Sequence, residues 1–226
     1  MATIAQLNGP RLPAQGGPAE RLIILLHGYG ADGNDLLGLA PYWQRVLPRT
    51  AFASPHAPER CDSGGPGFQW FGLGGRADGV RLAGVRKAAP VLDHFIDQEL
   101  ARHKLTEDRL ALVGFSQGTM MALHVGLRRR RPPAAILGFS GMLVGPETLE
   151  AEMPPAPSPR PPVLLVHGDA DDMLPVQMLF EATQGLGAAG LAVEWHISHG
   201  VGHSIDQDGL ALGAQFLTTA FRRRAT

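Results

Sequence analysis

The sequence predicts an α/β fold built on a mostly parallel, doubly wound sheet with helices on both faces. Three short apolar runs, Arg21–Leu26, Arg109–Val113 and Pro162–Val166, share one form. Each has strand length, lacks alternation and stops at Gly or His-Gly. Such runs suit strands covered on both sides, as in a parallel sheet. Helical patterns lie between them, and strands alternating with helices imply right-handed crossovers. The chain has 226 residues, 44% of them hydrophobic. That fits one domain over 1–226 with a core that needs no disulfide or metal staple.

The elements follow in order. Residues 1–18 read as an N-terminal extension or an edge strand. Arg21–Leu26 is the first central strand. A helical pattern covers Asp35–Val46, and Thr50–Ala53 is a further short strand. Gly64–Gly79 is a Gly-rich stretch that contains Trp70 and Phe71. In Gly84–His103, Val85, Ala88, Ala89, Leu92, Phe95, Ile96 and Leu100 recur at three- and four-residue steps, which predicts a helix. Pro90 is awkward inside it and implies either a start near Pro90 or a kink. A strand at Arg109–Val113 precedes a helix over Ser116–Arg128. Ala134–Leu137 and Pro162–Val166 are strands. Between them Gly145–Pro162 is a Pro-rich surface excursion, and no large lid domain is expected. Ala192–Ile197 alternates, which gives a strand with one wetter face. A helix over Asp206–Arg224 completes the set.

Composition narrows the function. The formal net charge is −1, so no strong field recruits nucleic acid or an anionic membrane. The single cysteine, Cys61, excludes an internal disulfide and reads as an incidental thiol. Residues 1–17 lack a basic patch followed by an apolar run, and Leu22–Leu26 is too short to cross a bilayer. The expectation is a cytoplasmic protein with no stable membrane insertion. An exposed apolar rim would support a homodimer, but no segment singles one out.

The chemistry sits at strand ends. Gly114-Phe-Ser-Gln-Gly118 follows one predicted strand and opens a helix, matching the G-x-S-x-G turn that raises a nucleophilic serine. The glycines leave room for a sharp turn, and the helix N-terminus favours negative charge beside Ser116. Composition alone gives roughly 0.1 accidental matches, so the strand-before, helix-after context carries the weight. The bland alternative is Ser116 as a simple helix cap.

A serine needs a base, and proteins with this turn order the chain as serine, acid, histidine. His199 and His203 lie in a glycine-loosened loop before the last helix, and position leaves both open. His124, His167 and His196 read as packing, strand-end and mid-strand residues. Asp169, Asp171 and Asp172 are the candidate acids, and at least one of them only caps a turn. Two backbone N–H groups must meet an oxyanion. Gln117 supplies one, and Tyr29, in His27-Gly-Tyr-Gly30, is the choice for the other. All these parts fall just past the carboxyl ends of predicted strands, where open α/β sheets place their sites.

Together the residues resemble the phospholipase/carboxylesterase family of the α/β-hydrolase superfamily, which includes small carboxylesterases, lysophospholipases and acyl-protein thioesterases. The matching pieces are Leu26-His-Gly-Tyr-Gly-Ala-Asp32, Pro55-His-Ala-Pro58, Trp70-Phe71, Gly114–Gly118, Phe139-Ser-Gly141, His167–Pro175 and Gly202-His203. The resemblance implies an α/β-hydrolase fold, Asp171 as acid and His203 as base. Leu174 stands where the family pattern has valine. It implies a serine carboxylesterase acting on short- to medium-chain esters through an acyl-enzyme, with thioesters or lysophospholipids as alternatives. No metal or cofactor is required. Trp70, Phe71, Met142 and Leu174 are candidates for an apolar acyl site, with core packing as the competing role. Two rival readings are a non-enzymatic binding module and a peptidase or amidase on the same fold.

A histidine base works only when neutral. Ester turnover is expected to fall on the acid side, read as kcat/KM against pH. A flat profile would remove imidazole from the reaction.

Overall fold

In the computed structural model, the described residues are 4–74, 78–155 and 160–223. The strands are β1 (Arg11–Leu12), β2 (Arg21–Leu26), β3 (Thr50–Ala53), β4 (Glu59–Arg60), β5 (Phe68–Gln69), β6 (Leu110–Phe115), β7 (Ala135–Phe139), β8 (Val163–Gly168) and β9 (Val193–Ser198). The helices are α1 (Gly33–Leu37), α2 (Ala40–Gln44), α3 (Asp78–His103), α4 (Gln117–Arg128), α5 (Pro146–Glu152), α6 (Gln177–Ala188) and α7 (Gln207–Arg223). The main sheet has the order β1-β3-β2-β6-β7-β8-β9. Every pairing in it is parallel except that of β1 with β3. β4 and β5 form a separate antiparallel hairpin.

The continuous apolar strands are explained by two cores. Leu22, Ile24 and Leu26 of β2 join one cluster, while Ile23 and Leu25 join the other. In β6, Leu110 and Leu112 divide from Ala111 and Val113 in the same way. Successive side chains of a strand point to opposite faces, so a strand buried on both sides must be apolar at every position. The first cluster takes Val85, Leu92, Phe95 and Ile96 from α3, Met121 and Leu123 from α4 and Leu179 from α6. The second takes Trp43 from α2 and Leu217 and Phe221 from α7. Trp43 Nε1 also donates to the Leu210 carbonyl (3.0 Å), tying α2 to α7.

Several boundaries differ from the expectation. The helix expected over Asp35–Val46 is two short ones. Asp32 caps α1 through its bond from Asn34 N (2.7 Å), and Pro41 falls in the first turn of α2. Proline lacks the N–H that a continuous helix needs. Conversely, α3 starts at Asp78 and runs through Pro90. The alternation missed α6, whose Gly185 and Gly187 lower helix propensity, although Leu179, Ala182 and Leu186 bury one face at helical spacing. The Pro-rich excursion contains α5, anchored by buried Leu149. Residues 156–159 of that excursion and 75–77 of the Gly-rich stretch lie outside the described residues. The N-terminal segment supplies the edge strand β1. Arg11 on it holds buried Glu99 of α3 through Nη2–Oε1 (2.8 Å) and Nε–Oε2 (3.0 Å). No described helix is long and apolar enough to cross a membrane.

Among the described residues His27, His124 and His167 are buried. Burial holds His27 and His124 below the ordinary imidazole value, His124 at about 4. His124 Nδ1 has no partner among the described residues. Below their unfolded value of 6.5 both sites bind more protons unfolded than folded. Their contribution is complete above that pH and is lost as pH falls toward the folded values. Melting temperature is expected to drop between about pH 7.5 and about pH 5. His124→Leu should reduce the drop, and an unchanged drop would remove His124 as a cause.

Candidate active site

β6 ends in the serine turn. Ser116 has φ 53° and ψ −116°, a positive φ that a non-glycine residue rarely adopts. Packing holds it there. Its amide donates to Phe139 O of β7 (2.9 Å). A Cβ on Gly118 would lie 1.8 Å from Leu26 O, and one on Gly114 would lie 2.3 Å from the Gly118 carbonyl carbon. Only glycine at both positions lets α4 start this close to β2 and β6. Thr119 Oγ1 sits between the Gly114 carbonyl (2.8 Å) and the Phe139 carbonyl (2.9 Å), and accepts from Phe139 N (3.1 Å). One buried hydroxyl thus braces the turn against two strands.

The loop after β2 lies directly against this serine. A Cβ on Gly28 would stand 3.3 Å from Ser116 Cβ. His27 fixes the loop from below. Its Nδ1 lies 2.7 Å from Gly28 O, and its Nε2 accepts from Ala57 N (3.0 Å). A carbonyl only accepts, so Nδ1 carries the proton and the ring is neutral. Burial favours the same state. The Tyr29 phenol bonds Asp62 and accepts from Ser63 N (3.1 Å), and the Asp62 bond raises its pKa. Gly30 N donates to Phe68 O and Phe68 N to Ala31 O, joining the loop to β5. Among the described residues neither the Tyr29 nor the Gln117 amide has an acceptor. The Gln117 side chain is engaged: Oε1 accepts from Trp70 N (2.8 Å) and Nε2 donates to Phe71 O (2.7 Å).

The acid and the histidine come from β8 and β9. Asp171 has a side chain with no exposed surface. Its Oδ1 accepts from Met173 N (3.0 Å) and Leu174 N (2.9 Å), and its Oδ2 lies 2.7 Å from His203 Nδ1. His167 Nε2, which donates to Leu174 O (2.8 Å), is 3.3 Å from the same oxygen. A carboxylate only accepts, so His203 Nδ1 holds the proton between them, and Nε2 is the lone-pair nitrogen of the neutral ring. The loop of His203 is latched to the acid turn by Asp169 N to Ser198 O (3.2 Å) and Ala170 N to Val201 O (3.0 Å). The Phe115 ring, beside Ser116 in sequence, packs on the His203 ring at 4.9 Å. Among the described residues the Ser116 hydroxyl has no hydrogen-bond partner.

The rival residues form a second pair. His199 Nδ1 lies 2.8 Å from Asp169 Oδ2, and Gly200 N donates to Asp169 Oδ1 (2.6 Å). This pair is on the surface, with the His199 side chain 86% exposed. The His199 bond holds the Asp169 carboxyl below its usual range. Asp172 is exposed. Trp70 and Phe71 are buried in the first core cluster, and Trp70 Nε1 donates to His27 O (3.0 Å). Met142 and Leu174 are half-buried on that cluster's margin. The roles of Thr119, His27, His167 and the Gln117 side chain escaped sequence reading. Only His27 and His167 carried a signal, each preceding a glycine at a strand end. No cluster of metal-ligating side chains occurs among the described residues.

The parallel sheet and its serine turn define an α/β-hydrolase. The chain belongs to the phospholipase/carboxylesterase family, whose sequence profile matches residues 7–221. It is similar to an acyl-protein thioesterase 1 of Gibberella zeae, 29% identical over 195 residues, with 80% of this chain and 83% of that protein covered. A probable carboxylesterase of Oryza sativa subsp. japonica is 31% identical over 222 residues, covering 91% and 80%. The crystal structure of esterase PE8 superposes with a TM-score of 0.90 at 45% identity, covering 96% of this chain and all of that one. The protein is accordingly a carboxylic ester hydrolase.

Gly118→Ala must displace the β2 backbone, because the colliding atom is a carbonyl that no side-chain rotation can move. It is expected to abolish ester turnover and lower the melting temperature. Thr119→Val keeps shape but removes the hydroxyl's bonds to the Gly114 and Phe139 backbone, and is expected to cost about 0.5–1.5 kcal/mol in denaturant unfolding. A neutral Thr119→Val would show that the hydroxyl does not brace the turn.

Proposed function

We propose that the chain is a serine carboxylesterase that hydrolyses short- to medium-chain esters through an acyl-enzyme. The observation that carries this reading is the 2.7 Å contact of His203 Nδ1 with the buried Asp171 carboxylate, on a loop packed against the serine turn. His203 Nε2 takes the Ser116 proton as the oxygen attacks the ester carbonyl. The unengaged amides of Tyr29 and Gln117 receive the oxyanion. Asp171 keeps the imidazole in the Nδ1–H form and stabilises its charge once protonated. His203 then protonates the leaving alcohol, and water repeats the sequence on the acyl-enzyme. A proton relay of this kind needs no metal or cofactor.

Met142 and Leu174, both half-buried, are the proposed acyl wall. Trp70 and Phe71, whose backbone Gln117 clamps, are buried in the core cluster on whose margin those two residues lie. A second reading, acyl-thioester hydrolysis by the same residues, is favoured by the relatives named acyl-protein thioesterase.

Ser116→Ala is expected to lower kcat by about 10³-fold or more while the melting curve stays in place. Asp171→Asn should lose about as much, since it turns the imidazole to the wrong tautomer, whereas Asp169→Asn should be mild. The reverse order would transfer the acid role to the surface pair. A panel of p-nitrophenyl esters from acetate to palmitate, with an acyl-thioester beside it, reads substrate class. Met142→Ala should shift the preferred chain length, and Trp70→Ala should mainly destabilise, by about 3–5 kcal/mol.

A further inference from the structure

β9 closes one side of the sheet, and among the described residues its outer edge pairs with no strand. An open edge offers a row of free backbone donors and acceptors, which proteins usually blunt with lysine, proline, a bulge or a very short strand. The other edge, β1, is two residues long. β9 has six residues, Val-Glu-Trp-His-Ile-Ser, and pairs with β8 in unbroken register. It contains no lysine and no proline. Trp195 at its centre is 50% exposed and meets the exposed Phe180 of α6 edge-on at 5.8 Å. An exposed aromatic pair beside an edge whose one carboxylate is Glu194 marks a pairing surface.

Symmetry and charge name the occupant. Two identical edge strands that pair antiparallel do so about a two-fold axis perpendicular to the sheet. That axis keeps each side chain on its own face, and directly opposed residues share a face. The axis must therefore pass through a residue position. Centred on Glu194 it opposes two carboxylates, and centred on His196 two imidazoles. Centred on Ile197 it leaves Glu194 outside the strand. Centred on Trp195 it sets Glu194 of each copy against His196 of the other, twice, and Val193 against Ile197. The same register lays the two Trp195 rings beside each other on the α6 face. On the α7 face, Glu194 and His196 also line a groove of about 320 Å³ with Gln215 and Phe216, which the second copy extends.

We propose that two copies of this chain pair antiparallel through β9, about a two-fold axis at Trp195, and join their sheets into one. The inference is independent of which residues perform the hydrolysis. Sedimentation velocity of the unmodified protein is expected to give twice the chain mass. Trp195→Lys, on an exposed side chain, should give the single-chain mass with the melting curve retained. Directly opposed Cα atoms in an antiparallel pair lie about 4.5–5.5 Å apart, within reach of a disulfide. In a Cys61→Ala background, Trp195→Cys should therefore form a disulfide-linked dimer on mild oxidation. Val193→Cys should not, since its counterpart lies four positions along the opposing strand. A single-chain mass for the unmodified protein at submillimolar concentration overturns the proposal. So does a dimer that survives Trp195→Lys, or equal cross-linking from Val193→Cys.

Discussion

A carboxylate with no exposed surface has to find donors inside the protein, and Asp171 finds them in two separate places. Its own turn supplies Met173 N and Leu174 N, and the loop after β9 supplies His203. Removing water from a charge is costly unless hydrogen bonds replace it. The fold of residues 167–174 and 198–203 is the set of conformations that meets that demand. Gly168 is part of it, because a Cβ there would lie 2.1 Å from Val201 O. The histidine loop can reach the carboxylate only by crossing that bare position. The imidazole is thus oriented by the same bonds that keep the acid tolerable inside the protein.

The serine side of the site rests on packing instead of charge. Close approach of α4 to β2 at Gly118 and of Gly28 to Ser116 leaves no room for alternative backbones. Within that contact the Ser116 backbone stays at positive φ, a conformation that costs on the order of 1–3 kcal/mol and persists only where surroundings over-determine it. Thr119 and the Ser116–Phe139 amide bond are those surroundings. The same turn lies beside the Tyr29 loop, and the Gln117 and Tyr29 amides have no acceptor among the described residues. Stored conformational energy and unpaired backbone donors are therefore found together.

The central strands were legible because burial on both faces leaves an unbroken apolar signature, as in Leu22–Leu26. The candidate site residues were placed by their position at the ends of those strands. That position left the pairing of acids with bases open, and only the family resemblance joined Asp171 to His203. Asp169 lies 30 residues from His199 and Asp171 lies 32 from His203, so spacing treats the two pairs alike. Exposure divides them, and exposure is a property of the folded loop. The short hairpin β4–β5 had no periodic run to announce it, since its two strands have two residues each. The break between α1 and α2 was written in Gly38 and Pro41 but was outweighed by the apolar rhythm around them. The Gln117 side chain had no signal at all: its partners are backbone atoms of Trp70 and Phe71 that only the fold brings within reach.

β9 links these themes. Its last residue, Ser198, donates to Asp206 Oδ1 (2.9 Å) ahead of α7, and its carbonyl accepts from Asp169 N at the end of β8. The loop that carries His199 and His203 is therefore pinned at both ends by the strand that forms the sheet's open edge. A change in the lateral position of β9 must be shared by the loop, because the hydrogen bonds at Ser198 leave no slack between them. Asp171 sits in the turn that Asp169 N–Ser198 O and Ala170 N–Val201 O latch to that loop. The outer edge of β9 and the acid–imidazole contact therefore belong to one hydrogen-bonded unit, and whatever stiffens that edge stiffens the contact without touching either residue.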